Sequence, residues 1–327
     1  MGEELYEKEA SVEFYDNRFN EGYMDDWPVE KKNRVISVIR DLGLPPTGKA
    51  LDFGSGHGVF TQVIKQALPG WEVYGTDISA VAIESATARY PQCHFFVSGN
   101  EENAGEFDFL FSHHVFEHVY DISKTWDELD AFAKEDAAML HICPCGNEGS
   151  FEHRLCVLRT DGIDPRMENR FFFEDEGHVR RLTTRTTNAI ASRYGFELVL
   201  DYYANQYFGG LEWITTYDID FVRDIADPRR ASGPAQAARL TVVRLELVAL
   251  KVLRKRAADW TLAGLDTHIQ SDDPLKQKLK KVLYRFCLRV DSFARYKAER
   301  EWQAKKRLKN GSEMFLGYRR TGRQDTL

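Results

Sequence analysis

Two acids and three glycines carry the clearest chemical signal in the chain. In LDFGSGHG, residues 51–58, Asp52 closes an apolar run, and Gly54, Gly56 and Gly58 follow at alternate positions before a helical stretch opens. Glycines in such a turn permit positive φ and let a ligand approach the backbone. The helix N-terminus beyond them offers free N–H groups. A second acid, Asp77, ends the next apolar run in VYGTD, where a doubly wound sheet sets a carboxylate against ribose hydroxyls. The set points to an adenosine-type ligand at the carboxyl ends of the first two strands. The dinucleotide fingerprint G-x-G-x-x-G/A fails here, because its sixth position counted from Gly54 is Val59. Asp52 would also repel a pyrophosphate, while it can accept hydrogen bonds from a cationic amino-acid moiety.

Histidines form the second group. His113, His114 and His118 follow the apolar run FDFLFS, and His141 and His178 lie at later strand ends. A base working at neutral pH is expected among them, with a hydrogen-bonded structural role as the competing reading for each. HVFEH (114–118) spaces two histidines four apart, as a metal on one helical face would need. The zinc-protease motif puts Glu directly after the first His, whereas Glu117 precedes the second, so no metal is expected. Cys143-Pro144-Cys145 lacks the two-residue spacer of redox and zinc motifs and reads as buried or loop thiols.

The elements that must position these groups are legible from periodicity. EKKNRVISVIRDLGL is a helix stopped by Gly43, Pro45 and Pro46. From about residue 49, short apolar runs (50–53, 71–76, 94–97, 107–112, 137–143) alternate with helical stretches, one of them over 122–135. Ser79 is the expected N-cap of the helix after Asp77. A helix over 185–195, a strand over 196–204, a long helical and basic stretch over 210–310 and a final strand, SEMFLGYRR, complete the chain. The predicted fold is α/β, a doubly wound, mostly parallel seven-stranded sheet with a helical insertion between strands six and seven. The expected domains are an N-terminal helical cap (1–45), a Rossmann-like domain (46–209 with 311–320) and the insertion (210–310).

The 327 residues suffice for one large domain or two ordinary ones, and 43% hydrophobic with 29% charged residues excludes wholesale disorder. Five cysteines, an odd and sparse set, imply no disulfide framework. The acidic, polar start has no secretion-signal pattern, and no apolar run approaches the length of a membrane span, so a cytoplasmic location is expected. The net charge of −7 hides an asymmetry: residues 251–310 hold 17 Lys and Arg against 7 Asp and Glu.

LDFGSGHG, GTDIS, FDFLFSHHVFEHV and AMLHICP together resemble the class I S-adenosylmethionine-dependent methyltransferase family, most closely its small-molecule branch of ubiquinone-type and sugar O-methyltransferases. The similarity covers roughly 50–205, and EGHVRRLTTRTTNAIASRYGFELV resembles the later helix–strand portion. The resemblance implies a seventh, antiparallel strand, which SEMFLGYRR suits. It implies S-adenosylmethionine as cofactor and S-adenosylhomocysteine as product. Gly54, Gly56 and Gly58 would then line the methionine side, Asp52 would meet the amino group, Asp77 the ribose diol and Ile78 the adenine. Asn100, or Glu101, would accept from the adenine amine, and Ser112 and His113 would sit beside the sulfonium. Tyr15 and Tyr23 either close over the cofactor or pack the core of a cap helix. For a hydroxyl acceptor the catalytic candidates are His114 and His178. The run SHHVF replaces the Asn/Asp-Pro-Pro-aromatic motif of enzymes that methylate base amines, which argues against base N-methylation though not against every nucleic-acid partner.

The expected activity is methyl transfer to a hydroxyl of a small molecule, sugar or lipid-linked glycan. Alternatives are N- or carboxyl-methylation of another metabolite, and a non-catalytic adenosine-ligand binder with a basic docking segment. In the insertion, Leu275, Leu279, Val282, Leu283, Phe286, Val290 and Phe293 recur at spacings of three and four, with lysines and arginines between them. The favoured reading packs this stripe on a helix over 236–257 as a hairpin lid. The others are an in-plane helix on an anionic membrane, placing the protein at its inner face, and a nucleic-acid surface.

Overall fold

The computed structural model describes residues 8–20, 22, 26–99, 105–167, 169–175, 177–262 and 273–321. The chain divides into two compact units. The first comprises Met1–Cys145, Glu176–Tyr202 and Met314–Leu327, the second Gly146–Asp175 and Tyr203–Glu313.

The first unit opens with α1 (Lys8–Asn20) and α2 (Val29–Asp41). Val35, Val38 and Ile39 recur at helical spacing and are the buried stripe of α2. The alternation then follows: β1 (Lys49–Phe53), α3 (Val59–Ala67), β2 (Glu72–Asp77), α4 (Ala80–Arg89), β3 (His94–Val97), β4 (Phe107–His113), α5 (Ile122–Phe132) and β5 (Ala133–Pro144). Ser79 caps α4, its hydroxyl accepting from the Ala82 N–H. Leu51, Phe109, Leu110, Phe111, Met139, Leu140 and Ile142 are buried, as strands covered on both faces require. The sequence extends the fifth helix to residue 135, but Ala133 pairs with Phe107 and the strand starts there, with a register shift between Phe107 and Phe109.

Later elements are α6 (Phe151–Cys156), the short pair β6 (Ile163–Asp164) and β7 (Arg170–Phe171), α7 (Thr184–Arg193), β8 (Phe196–Ala204), α8 (Phe208–Ile214), α9 (Ile219–Ile225), α10 (Pro234–Leu262), α11 (Pro274–Lys305) and β9 (Glu313–Arg320). The seven-stranded sheet has the order β3-β2-β1-β4-β5-β9-β8. Its β1–β2, β1–β4, β2–β3 and β4–β5 pairs are parallel. Ser312 N–H donates to Ala204 C=O and Thr321 N–H to Gly195 C=O, each at 3.0 Å, so β9 runs antiparallel to β8. This is the doubly wound, mostly parallel sheet expected, with the reversal of strand order beside β1 that opens a crevice at the strand carboxyl ends.

The second unit is mostly helical. Its core joins Phe151 and Leu155 of α6 to Leu211, Ile214, Val222, Ile225, Leu240 and Leu247. Residues 146–175 therefore belong with the helices after 203, although they precede β8 and read in the sequence as part of the sheet domain. Their apolar side chains, Phe172 and Phe173 among them, find their partners there.

The stripe of α11 does not pack as the hairpin reading expects. Arg254 of α10 meets Asp291 of α11 at 2.8 Å. Tyr284, Cys287 and Leu288 precede Asp291 at helical spacing and share its side of the helix, and Tyr284 and Cys287 are buried. The two helices pair through that face, and the Leu275–Phe293 stripe lies outward. Among the described residues no helix is long and apolar enough to cross a membrane.

Candidate active site

At the end of β1 the chain turns through Gly54, Gly56 and Gly58, whose φ values are 76°, 50° and 78°. These are left-handed conformations open to glycine. At Gly54 a Cβ would also collide with the Val115 side chain, so space and φ both demand glycine. The turn is pinned to β2: Gly54 and Ser55 N–H groups both donate to Thr76 C=O, at 2.8 and 2.9 Å.

Asp77, at the end of β2, accepts from Gly56 N–H at 2.8 Å and from Ser79 N–H at 3.0 Å, so one carboxylate braces the glycine turn and the start of α4. Asp52 is buried and accepts from the Thr61 hydroxyl at 2.6 Å. Burial pushes both carboxyls up. Asp52 reaches about 7, with the charge of Asp77 adding to the rise and the Thr61 hydrogen bond opposing it. Two buried acids of like charge, with no Lys or Arg ion pair among the described residues and only His57 opposing the rise at Asp77, suit a ligand that brings a cation. Ser55 Oγ, in the same turn, is buried and has no hydrogen-bond partner among the described residues. These acceptor oxygens fit the cationic amino group and hydroxyls of an aminoacyl nucleoside, which donate. Ile78 follows Asp77 half-buried.

Beside the turn, the end of β4 carries the histidines. Ser112 is buried and its hydroxyl bonds His141 Nδ1 across β4–β5 at 2.8 Å. His113 is buried against Phe60 (ring centroids 3.9 Å) and Trp27 (4.8 Å). Burial holds its imidazole well below the usual histidine range, hence neutral. Its Nε2 has no hydrogen-bond partner among the described residues. His114 turns the chain at φ 55°, a strained position for a non-glycine residue, and its Nδ1 lies 2.9 Å from Glu117 Oε1.

Glu117 is 1% exposed. Burial pushes its carboxyl up, yet His114 first and then His118 and His178 override that, holding it at about 2. His118 Nδ1 reaches Gly177 C=O at 3.2 Å, and its ring stands edge-on to His178 at 4.5 Å. Burial lowers His118 and His141 to about 4 each, so both are neutral at pH 7. Glu117, His118 and His178 each present one ligating atom, all within 4.8 Å of one another, a carboxylate–imidazole set that suits a divalent cation.

The N-terminal helix lies over these strand ends. The Tyr15 ring meets His118 (5.9 Å), Phe19 stands over Gly56 and edge-on to His57 (4.9 Å), and Ser79 hydroxyl donates to Asp16. The structure thus brings Tyr15, Asp52, the three glycines, Asp77, Ser112, His113, His114 and His178 to one end of the sheet. Tyr23, Asn100 and Glu101 lie outside the described residues. Sequence reasoning missed Trp27, Phe19 and Thr61, which only the fold draws near, and undervalued Glu117, whose meeting with His178 has no local signature.

The sequence matches the family model of the methyltransferase domain over residues 29–200. A protein from Arabidopsis thaliana described as "probable thiol methyltransferase 2" is 33% identical over 98 residues, 28% of this chain. The chain spans 42% of that relative's length. Among solved structures, a candidate sarcosine dimethylglycine methyltransferase from Galdieria sulphuraria aligns at TM-score 0.46 and 12% identity, over 89% of this chain and 86% of the other. Magnesium protoporphyrin IX methyltransferase from Synechocystis, with bound S-adenosylhomocysteine, aligns at TM-score 0.45 and 18% identity, over 60% and 92%. The chain belongs to the methyltransferase domain family, as a class I S-adenosylmethionine-dependent methyltransferase.

Proposed function

We propose that this chain moves the methyl group of S-adenosylmethionine to a hydroxyl of a small molecule, sugar or lipid-linked glycan. The observation that carries the hydroxyl is the His114–Glu117 pair, 2.9 Å apart at the end of β4 next to the glycine turn. An amine needs no strong base once neutral, whereas a hydroxyl gains from one as its oxygen attacks.

In this reading the turn Gly54–Gly58 and the acids Asp52 and Asp77 bind the cofactor, Asp52 at its amino group and Asp77 at its ribose diol, with Ile78 against the adenine. Ser112 and His113 flank the reacting end. Tyr15 and the rest of α1 exclude water. When bound, S-adenosylmethionine supplies an electrophilic methyl carbon and leaves as S-adenosylhomocysteine. His114 accepts the proton of the acceptor hydroxyl as the new oxygen–carbon bond forms and the sulfur–carbon bond breaks, its electron pair staying on sulfur. Glu117 orients the imidazole and stabilises the imidazolium, as a buried carboxylate does behind a catalytic histidine. His178 is the second candidate base.

A second reading has Glu117, His118 and His178 hold a divalent cation that binds the acceptor oxygen. It is favoured by the ligating atoms of Glu117, His118 and His178, which lie within 4.8 Å of one another. Chelation separates the two: activity that survives a strong chelator supports the base, and activity lost to it and restored by added metal supports the cation.

The experiment is transfer of isotope from methyl-labelled S-adenosylmethionine into a panel of alcohols, amines, carboxylates and thiols. O-methyl product, lost in His114→Ala with cofactor binding kept, supports the proposal. N- or carboxyl-methyl product overturns the hydroxyl assignment, and binding without turnover across the panel favours a non-catalytic binder.

A further inference from the structure

The outward face of α11 is built from large apolar side chains in open solvent. Leu275 is 68% exposed, Leu279 61%, Val282 60%, Phe286 53% and Phe293 61%. At 100° per residue these five fall within one narrow sector, and the buried Tyr284, with Leu288, points the other way. An isolated exposed leucine needs no explanation, but a continuous row along several helical turns does. The row is bordered by charge of one sign. Lys276 and Lys280 lie along one edge, Lys278, Arg285 and Arg289 along the other, and no acid occurs between Pro274 and Val290.

We propose that this face of α11 lies in the plane of an anionic lipid surface, with the leucines and Phe286 among the acyl chains and the basic groups at the lipid phosphates. Basic side chains on both borders of an apolar row can bury their stems and keep their heads at the interface. The charge argues against the other occupants. A second copy seated on the same face would bring six cations, Lys276, Lys278, Lys280, Lys281, Arg285 and Arg289, against six more. A single-stranded nucleic acid could stack bases on Phe286 and Phe293 but would leave Leu275, Leu279 and Val282 without an apolar partner. The helix is held from behind, since Arg254 binds Asp291 at 2.8 Å and Glu212 at 2.6 Å, so the face is presented on a braced element. Membrane recruitment is independent of which acceptor is methylated, and it would bring the enzyme to lipid-linked or membrane-dissolved acceptors.

The test is co-sedimentation of the full chain with phosphatidylcholine vesicles, plain or carrying about one third phosphatidylserine. The wild type should pellet with the anionic vesicles at least about tenfold more than with the neutral ones, and less as salt rises. Leu279→Glu with Phe286→Glu should abolish pelleting, and Lys278→Gln with Lys281→Gln should weaken it. Circular dichroism and cofactor affinity should stay at wild-type values, since these side chains are exposed and belong to no part of the site. Wild type that stays in solution, or the Glu variant pelleting as well as wild type, overturns the proposal. So does a dimer in sedimentation velocity that the Glu variant dissolves, or an oligonucleotide complex that only the Gln variant loses.

Discussion

The two flanks of the site hold buried carboxylates in opposite states. At β1 and β2, Asp52 and Asp77 sit close together with backbone N–H groups, one hydroxyl and, for Asp77, His57, yet burial pushes both upward, Asp52 to about 7. At β4, Glu117 is buried as completely, yet His114, His118 and His178 hold it at about 2. Burial is common to both flanks, so the difference lies in what surrounds each acid. The first flank has no Lys or Arg paired with its acids among the described residues, which suits the cofactor-binding role proposed for it. The second carries its own partners and keeps a fixed negative charge behind a histidine, which suits the proton transfer proposed there.

The comparison breaks most visibly at Glu117. Glu117→Gln preserves shape and removes the charge, so turnover should fall by about 10²–10⁴-fold while cofactor affinity in calorimetry hardly moves. A loss of affinity as large as the loss of turnover would make Glu117 part of the binding flank. Asp77→Ala should do the reverse. It should weaken S-adenosylhomocysteine binding by about 1–3 kcal/mol through lost charge-assisted bonds, with the remaining turnover recovered at saturating cofactor.

A smaller effect concerns stability against acid. His118 and His141 are lowered to about 4 in the folded chain. Between the ordinary histidine pKa of about 6.5 and 4 the unfolded chain therefore binds the extra protons, and each histidine removes stability as pH falls, about 1 kcal/mol per pH unit. Asp52 works with the opposite sign. Its folded carboxyl is raised to about 7, so from 7 down to the ordinary aspartate value the folded chain binds the extra proton and gains. Denaturant titrations between about pH 7 and pH 5 should show a shallower loss in His141→Gln than in wild type, and a steeper one in Asp52→Asn. Equal slopes in all three would remove the electrostatic contrast.

The sheet and the geometry of the β1–β2 flank were legible because their signals are local. Asp52 and the three glycines lie within seven residues of one another, Asp77 ends the next strand, and Ser79 caps its helix as expected. The β4 flank was legible only in part. His114 and Glu117 are neighbours on the chain, but His178 reaches them through the turn where Val179 N–H bonds Glu117 C=O at 2.8 Å, and Trp27 arrives from the N-terminal segment. Such meetings are made by tertiary packing and leave no spacing to read. The α11 stripe shows the converse limit. Periodicity located the apolar face correctly but could not tell which face a neighbour covers. The less apolar side is the one that packs, through Tyr284, Cys287 and the Arg254–Asp291 ion pair.

The claim that the first flank waits for a cationic ligand is tested most directly by titrating the full chain with S-adenosylhomocysteine at about pH 6 and about pH 8, in wild type and Asp52→Asn. A proton on Asp52 competes with the ligand's ammonium group, so wild-type affinity should be about tenfold weaker at the lower pH, and the Asn variant should be weak and indifferent to pH. Equal wild-type affinity at both, or the same pH dependence in the variant, would contradict the account.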